Sequence, residues 1–339
     1  MSKKIGKQTL LIESKPRIIS TYNIVGPIEG QGPLKDYFDR IIQDDLNGQD
    51  TFEKAESSLL YVAVEEAIKR ANLKDPDIDF VLAGDLLNQL TASNFAIRDI
   101  DIPFIGLYGA CSTMALSLSM GAMLMDGDFA KNVVAATSSH FSSAERQFRT
   151  PLEYGSQKSP TSQRTVTGSG AMVLGKNGDY PYVTHVTIGK VKDYGETDPN
   201  NMGAAMAPAA VDTIKQHLED TSRKASDYDV ILTGDLGSFG KELTEKLLMQ
   251  YGHNISKVYK DCGVEIYDCE KQNVQCGGSG CGCSAVVTTG YIYKNMIMRK
   301  IKRVLLVSTG ALLSPTSSLQ GESIPGIAHA VAIEIGGGK

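Results

Sequence analysis

One cysteine in this chain stands where chemistry is often done. Cys111 lies in the run Tyr108-Gly109-Ala110-Cys111-Ser112-Thr113. The apolar stretch Ile102 to Leu107 before it reads as a strand, and the stretch from Met114 onward reads as a buried helix. In parallel α/β folds, ligands gather at the carboxyl ends of strands. A thiol in the first turn of a helix meets unpaired backbone amides and the positive end of the helix dipole, and both favour thiolate. The position therefore suits a nucleophile or a contact to an anion. The remaining cysteines (Cys262, Cys269, Cys276, Cys281 and Cys283) form no C-x-x-C pair, so a zinc ribbon is not expected and no metal site is assigned. They read as buried thiols of a reducing compartment.

Other polar residues stand at similar strand ends. Asp85, with Asn88 and Gln89 close behind, follows the apolar run Phe80 to Ala83. Ser138, Ser139 and His140 follow the run Val133 to Ala136. From His140 to Arg164 the chain is locally basic, with Arg146, Arg149, Lys158 and Arg164 against Glu145 and Glu153. His329 stands by a glycine turn near the last apolar segment. The glycines from Gly277 to Gly282 either offer amides to an anion at a helix start or serve close packing.

The elements that must position these residues come in two copies. Ala63 to Leu86 and Ala210 to Leu236 each read as an amphipathic helix, a polar turn and a short apolar strand ending in Gly-Asp-Leu. Gly109 and Gly280 each open a small-residue turn, an apolar helix, a basic turn and a fully apolar strand, Val133 to Ala136 and Val304 to Val307. Thr165 to Leu174 and Gly326 to Ile335 close the two copies. The matched segments keep one order, so the chain divides into two βαβαβαββ units, residues 1–178 and 179–339. Such alternation predicts largely parallel sheets covered by helices. The helices at Ala110–Leu124 and Gly282–Ile297 are apolar almost all round and are expected to pack against each other in a central layer. Because the Gly-Asp-Leu turn is duplicated, Asp85 and Asp235 become repeat partners. A repeated Asp commonly binds turn amides, while Asp85 also offers oxygens that suit Ca²⁺.

Composition narrows the function classes. The chain has 339 residues, 42% hydrophobic and 22% charged, with a formal net charge of −5. That describes a folded protein with ordinary charged content, and its mild acidity argues against nucleic acid as a partner. The first residues are basic, but no apolar run of signal-peptide length follows them. The run Met114 to Met125, interrupted by Ser117, Ser119 and Gly121, is too short to span a bilayer. An intracellular or peripheral location is expected.

The duplication, with a Cys opening the buried helix of the first copy and Gly282 at the matching place in the second, resembles the thiolase/ketosynthase superfamily. The resemblance implies a five-layered αβαβα fold, a homodimer, and a Cys that in active members accepts an acyl group. Where those enzymes carry a His after the strand matching Asp229 to Thr233, this chain reads Thr233-Gly234-Asp235. Where they carry Asn after a Gly, it has Cys281. The Gly-His-Pro of thiolases has no counterpart in Cys276 to Gly280, and no second Cys stands near His329. Acyl transfer needs a base or an oxyanion donor beside the thiol. The expected protein is thus a binding protein and not an enzyme, the alternative being an active acyltransferase using Cys111. A third reading is a scaffold with a vestigial pocket.

Longer stretches narrow the resemblance. Among them are LAGDLLNQ at Leu82, GACST at Gly109, AERQFR at Ala144, TVTGSGA at Thr165, AAMAPAAVDTIK at Ala204, GGSGCGCSAV at Gly277 and TGALLSPT at Thr309. These are similar to a stage V sporulation protein family of spore-forming Firmicutes, within the same superfamily. That resemblance implies binding of dipicolinic acid (pyridine-2,6-dicarboxylate), alone or with Ca²⁺, for uptake during sporulation and release in germination. It also implies synthesis in the forespore, a peripheral position at the spore inner membrane, and integral-membrane stage V proteins as partners. With no basic amphipathic helix in the sequence, membrane association is expected through those partners and not through lipid. A flat aromatic dianion needs an apolar slot and donors at both carboxylates. The expected ligand set is therefore Cys111, His329, Asp85, Asn88, His140, Arg146, Arg149 and Arg164. The dimer is expected through the first-half sheet edge at Val133 to Ala136 and the loop after His140.

Overall fold

The computed structural model describes residues 2–148 and 159–336. Arg149, Glu153 and Lys158 lie outside them. Each copy contributes five principal strands. In the first they are β1 (Arg17–Val25), β2 (Phe80–Gly84), β3 (Phe104–Gly106), β4 (Val133–Ser139) and β5 (Gly168–Gly175), in the spatial order β1-β5-β4-β2-β3. In the second they are β6 (Tyr182–Thr187), β7 (Val230–Thr233), β8 (Tyr259–Asp261), β9 (Arg303–Ala311) and β10 (Gly326–Glu334), in the matching order β6-β10-β9-β7-β8. Within each copy the three strands on one side are parallel, and the closing strand runs antiparallel to its neighbours. The two sheets adjoin at one residue pair, Tyr182 opposite Arg17. The N-terminal strand Thr9–Leu11 pairs across with β6 of the second copy.

The helices are α1 (Phe52–Arg70), α2 (Thr91–Ile97), α3 (Thr113–Asp126), α4 (Phe141–Phe148), α5 (Met202–Thr221), α6 (Gly237–Gln250), α7 (Cys262–Ile266) and α8 (Cys281–Val287). A π turn, Thr288–Ile292, carries α8 on into α9 (Tyr293–Ile297), and the short α10 (Pro315–Leu319) follows β9. Strand alternation assigns the layers. Val134 and Ala136 of β4 face outward to Leu59, Ala63 and Val64 of α1. Val133 and Ala135 face inward, to a core shared by α3, α8 and residues of the second sheet such as Leu232, Leu306 and Val331. On the far side α5 covers Leu305, Val307 and Ala330. The layers are αβαβα, as the sequence implies, with α3 and α8 in the middle.

Backbone contact sets the spacing of that middle layer. A Cβ on Gly170 of β5 would stand 2.8 Å from the carbonyl carbon and oxygen of Ala285 in α8. Apolar contact on all sides makes α3 a buried helix: Met114, Ala115, Leu118 and Ala122 are fully buried.

The expected dimer edge is not where the sequence places it. β4 lies between β2 and β5 and is buried throughout. An apolar strand needs covering, but neighbouring strands of the same chain provide the cover. The first sheet ends instead at β3, where Gly106 is exposed.

Replacing Gly170 by Ala should push α8 off β5 and lower stability by about 1–3 kcal/mol. Urea unfolding monitored by circular dichroism checks this, and an unchanged midpoint would contradict the close approach.

Candidate functional site

The site is built where the two central helices begin. Between β3 and α3 the chain turns through Ala110, whose φ of 48° is unusual for a residue with a side chain. Side chains of the turn itself hold it: Ser112 Oγ donates to the Gly109 carbonyl at 2.6 Å, Thr113 Oγ1 donates to the Ala110 carbonyl at 2.6 Å, and the Gly109 amide donates to Thr113 Oγ1 at 3.1 Å. Cys111 is thereby fixed at the floor of a small cavity, 5% exposed. Leu86, Tyr108, Ala144, Phe148, Met202 and Leu313 give the cavity apolar walls, and Thr165, Ser279 and the carboxylate of Glu145 give it a polar edge. Its volume is about 40 Å³, room for roughly one water molecule.

The second copy brings Asp235 and Cys281 to the same point. Asp235, just past the end of β7, accepts from Thr309 Oγ1 at 2.7 Å, the Gly280 amide at 3.0 Å and Ser279 Oγ at 3.3 Å. It also faces the Cys111 thiol. Cys281 donates its S–H to the Ser138 carbonyl at 2.9 Å and belongs to the same small cluster as Leu86, Cys111 and Ala144. Burial pushes the Asp235 carboxyl up to about 6, against the pull of its hydrogen bonds. The Cys111 thiol is raised well above the ordinary thiol range, first by burial and then by the Asp235 charge and Cys281, with only the Gly280 amide pulling the other way. The thiolate expected from the helix start is therefore not favoured. A helix terminus contributes about 0.3–1 kcal/mol at an exposed site, while burial and a neighbouring carboxylate shift a thiol by more.

The other expected ligands are placed differently. Asp85 is buried, and its oxygens accept from the Leu87 amide at 2.8 Å, the Ser93 amide at 2.7 Å and Ser93 Oγ at 2.6 Å, which commits it to its own loop. The backbone amide of the exposed Asn88 donates to Gln147 Oε1 at 3.0 Å and so tethers α4. In His140 the Nε2–H donates to the Asp45 carbonyl at 2.8 Å, while Nδ1 accepts from the Ser142 amide at 3.1 Å. The ring is thus a neutral clamp, its pKa lowered by burial. Arg146 pairs with Glu53 on α1, on the outer side of α4. His329 stands opposite Ser308 on β9, and its Nδ1 accepts the Gly189 amide at 3.3 Å. Burial lowers its pKa to about 4. Asp85, Asn88, His140, Arg146 and His329 do not line the Cys111 cavity. Strand ends brought them near the cavity in sequence terms, but side-chain direction and local partners turned them elsewhere. Arg164 does not line the cavity either: it precedes Thr165 of the wall, and its guanidinium carbon lies 3.7 Å from the Phe141 ring centre, with its charge acting on the buried Glu29. Its Nε is buried without a hydrogen-bond partner.

Sequence reasoning missed Asp235 as a site residue. The repeat suggested that Asp85 and Asp235 do the same work. In the second copy, however, Asp261 takes the turn amides of Leu236 at 2.9 Å and Gly237 at 3.0 Å. That leaves Asp235 free to point to the centre. The one signal in the sequence was that Asp235 stands in the run Thr233-Gly234-Asp235, where the resemblance would place a His.

This fold, with a Cys at the start of the first central helix, is the thiolase-like fold. Solved structures agree on the fold. The chain matches 3-oxoacyl-[acyl-carrier-protein] synthase III of Aquifex aeolicus with a TM-score of 0.59 and 13% identity, covering 94% of this chain and 99% of that one. It matches OleA of Xanthomonas campestris with a TM-score of 0.61 and 13% identity, covering 96% and 99%. The sequence is more specific. The family model of Stage V sporulation protein AD matches residues 6–334. The Stage V sporulation protein AD of Bacillus subtilis (strain 168) is 48% identical over 336 residues, 99% of each chain. The chain belongs to the Stage V sporulation protein AD family.

Asp235→Asn removes the charge beside Cys111 and should lower the apparent pKa of that thiol by about one unit or more. The pH profile of iodoacetamide labelling at Cys111, read by mass spectrometry, measures it. A profile identical to that of the unaltered protein would remove Asp235 from the thiol's surroundings.

Proposed function

We propose that this member of the family binds dipicolinate, alone or as its Ca²⁺ chelate, at the Cys111 cavity, and serves its uptake in sporulation and its release in germination. The observation that carries the reading is the Cys111–Asp235 floor. Its thiol is held protonated, and among the described residues no His lines the cavity. Such a floor binds better than it attacks, because the thiol, and not the thiolate, predominates. The walls of Leu86, Phe148 and Leu313 suit the faces of an aromatic ring, and Thr165 and Ser279 offer polar groups at its edge. Arg164, one residue before Thr165 of the wall and with an unpartnered Nε, is the described arginine we assign to a carboxylate, which it reaches by turning off Phe141; Arg149, of the same expected set, lies outside the described residues. Chelation by Ca²⁺ neutralises the dianion, which eases its approach to a carboxylate such as Asp235.

At about 40 Å³ the cavity must widen before such a ligand enters. The natural moving part is α4, which supplies Ala144 and Phe148 to the walls and is held on α1 through Ser143–Glu56 at 2.7 Å and Arg146–Glu53. A homodimer through the free β3 edge, with the half-exposed Tyr108 of the cavity mouth beside it, belongs to the same proposal. So do integral-membrane stage V proteins as partners and a peripheral place at the spore inner membrane. Among the described residues no helix is long and apolar enough to cross a membrane.

Thermal melting with dipicolinate, with and without Ca²⁺, tests the proposal, with benzoate as the one-carboxylate control. Dipicolinate should raise the melting temperature, because a ligand of the native state stabilises it, and benzoate should not. Cys111→Ala should weaken binding moderately and Arg164→Ala more strongly, read by calorimetry. No response to dipicolinate would leave a scaffold. An acyl adduct on Cys111 after incubation with acyl-coenzyme A would overturn the binding reading in favour of acyl transfer.

A further inference from the structure

The face opposite the cavity carries two turns that the duplication relates. α3 ends at Asp126 and passes through residues 127–131 towards β4, while α9 ends at Ile297 and passes through 298–302 towards β9. The same device opens both strands. Asp79 accepts from the amides of Lys131 and Asn132, and Asp229 accepts from those of Lys302 and Arg303. The connection between β5 and β6 lies between the turns and ties them into one surface: Lys176 pairs with Asp128 at 3.4 Å, and Arg299 pairs with Asp179.

The tips of this surface are apolar. Phe129 is 74% exposed, Met298 50% and Ile297 41%. Lys131, Lys176, Lys300 and Lys302 are exposed around them, and the acids Asp128 and Asp179 are already paired with cations of the patch. Five cations (Lys131, Lys176, Arg299, Lys300 and Lys302) stand here against four acids (Asp79, Asp128, Asp179 and Asp229), of which Asp79 and Asp229 are turned to backbone amides, so in a chain of net charge −5 this face is mildly cationic. The negative ends of α3 and α9 account for the cations. They do not account for three protruding hydrophobic side chains, since exposed apolar clusters rimmed by charge mark interaction sites. Apolar tips among lysines complement an anionic bilayer. Rings and thioethers enter the headgroup boundary, and lysine stems reach the phosphates.

We propose that this face docks on an anionic lipid surface, with Phe129, Ile297 and Met298 in the interface and the surrounding lysines against the headgroups. Both central helices start at the cavity and end here, so the cavity mouth points away from the bilayer. The expectation that lipid plays no part rested on the absence of one basic amphipathic helix. The patch is assembled instead from two turns far apart in sequence.

Co-sedimentation of the full chain with phosphatidylglycerol/phosphatidylcholine vesicles and with pure phosphatidylcholine vesicles tests this. Binding should require phosphatidylglycerol and weaken as salt rises. Lys300→Glu with Lys302→Glu should weaken it about 25-fold or more, because each basic residue near such a surface contributes roughly a five-fold factor. Phe129→Ser with Met298→Ser should weaken it as well, while Lys246→Glu on α6 should not. Unaltered melting temperatures would confirm that the variants fold. Equal binding to both vesicle types, or patch variants that bind as the unaltered protein does, would overturn the proposal. If the same variants instead dissociate a dimer in solution without changing vesicle binding, the patch belongs to a second copy and the lipid assignment fails.

Discussion

Everything at the site depends on two helix starts meeting at one point between two sheets. α3 begins at Cys111 and Thr113, α8 begins at Cys281, and the Gly280 amide lies within reach of both the Cys111 thiol and the Asp235 carboxylate. Such convergence requires helices that sit nearly backbone to backbone with the strands beside them. Gly170 against Ala285 shows how little room is left. The same requirement explains why small residues fill this layer and why most of its hydroxyls are hydrogen-bonded, Ser119 Oγ being an exception. Ser117, Thr288 and Thr289 all donate back to carbonyls of their own helices, because a buried hydroxyl without an acceptor costs about 1–3 kcal/mol.

The convergence also decides what the cysteine can do. Two helix N-termini supply positive potential, which favours negative charge placed beside them. Here the Asp235 carboxylate sits beside the thiol and takes the Gly280 amide. Two like charges about 4 Å apart at an effective dielectric of about 20 repel by roughly 4 kcal/mol, larger than the dipole contribution of either helix. The balance therefore falls on the side of a neutral thiol. Asp235 must in turn be held by Thr309, Ser279 and Gly280, since a buried carboxylate without donors could not remain in place.

The fold was legible because duplication repeats the same alternation of apolar periodicities, and collinear matches such as Ala63 to Leu86 with Ala210 to Leu236 are hard to produce otherwise. The central layer followed from helices apolar on every side. The site was less legible, for two physical reasons. First, sequence position at a strand end does not fix side-chain direction. Asp85 and His140 sit where site residues are expected, yet both are consumed by local backbone groups within a few residues or by a neighbouring loop. Second, duplicated motifs can divide their labour. Nothing in the two Gly-Asp-Leu turns reveals that Asp261, a residue outside the motif, takes over the amides in the second copy and releases Asp235. The edge strand was misplaced for a related reason. Hydrophobicity says that Val133 to Ala136 is covered, but not that β2 and β5 are what cover it.

Duplication also leaves the two ends of the central layer with opposite characters. At the end where the helices start, the copies have diverged: Cys111 faces Gly282 in the repeat alignment, and Asp235 has been turned inward while Asp85 has not. At the other end they have kept the same construction, an Asp that clamps the amides opening β4 and β9 and a cationic turn with an apolar tip. A shared device that survives in both copies needs a cause common to both. The geometry of the strand start supplies one for Asp79 and Asp229, since each satisfies two amides that the sheet leaves open. It supplies none for Phe129 and Met298, which touch water in both turns. The same end of the molecule therefore joins a structural constraint to a surface property, whereas the cavity end carries the features that exist only once.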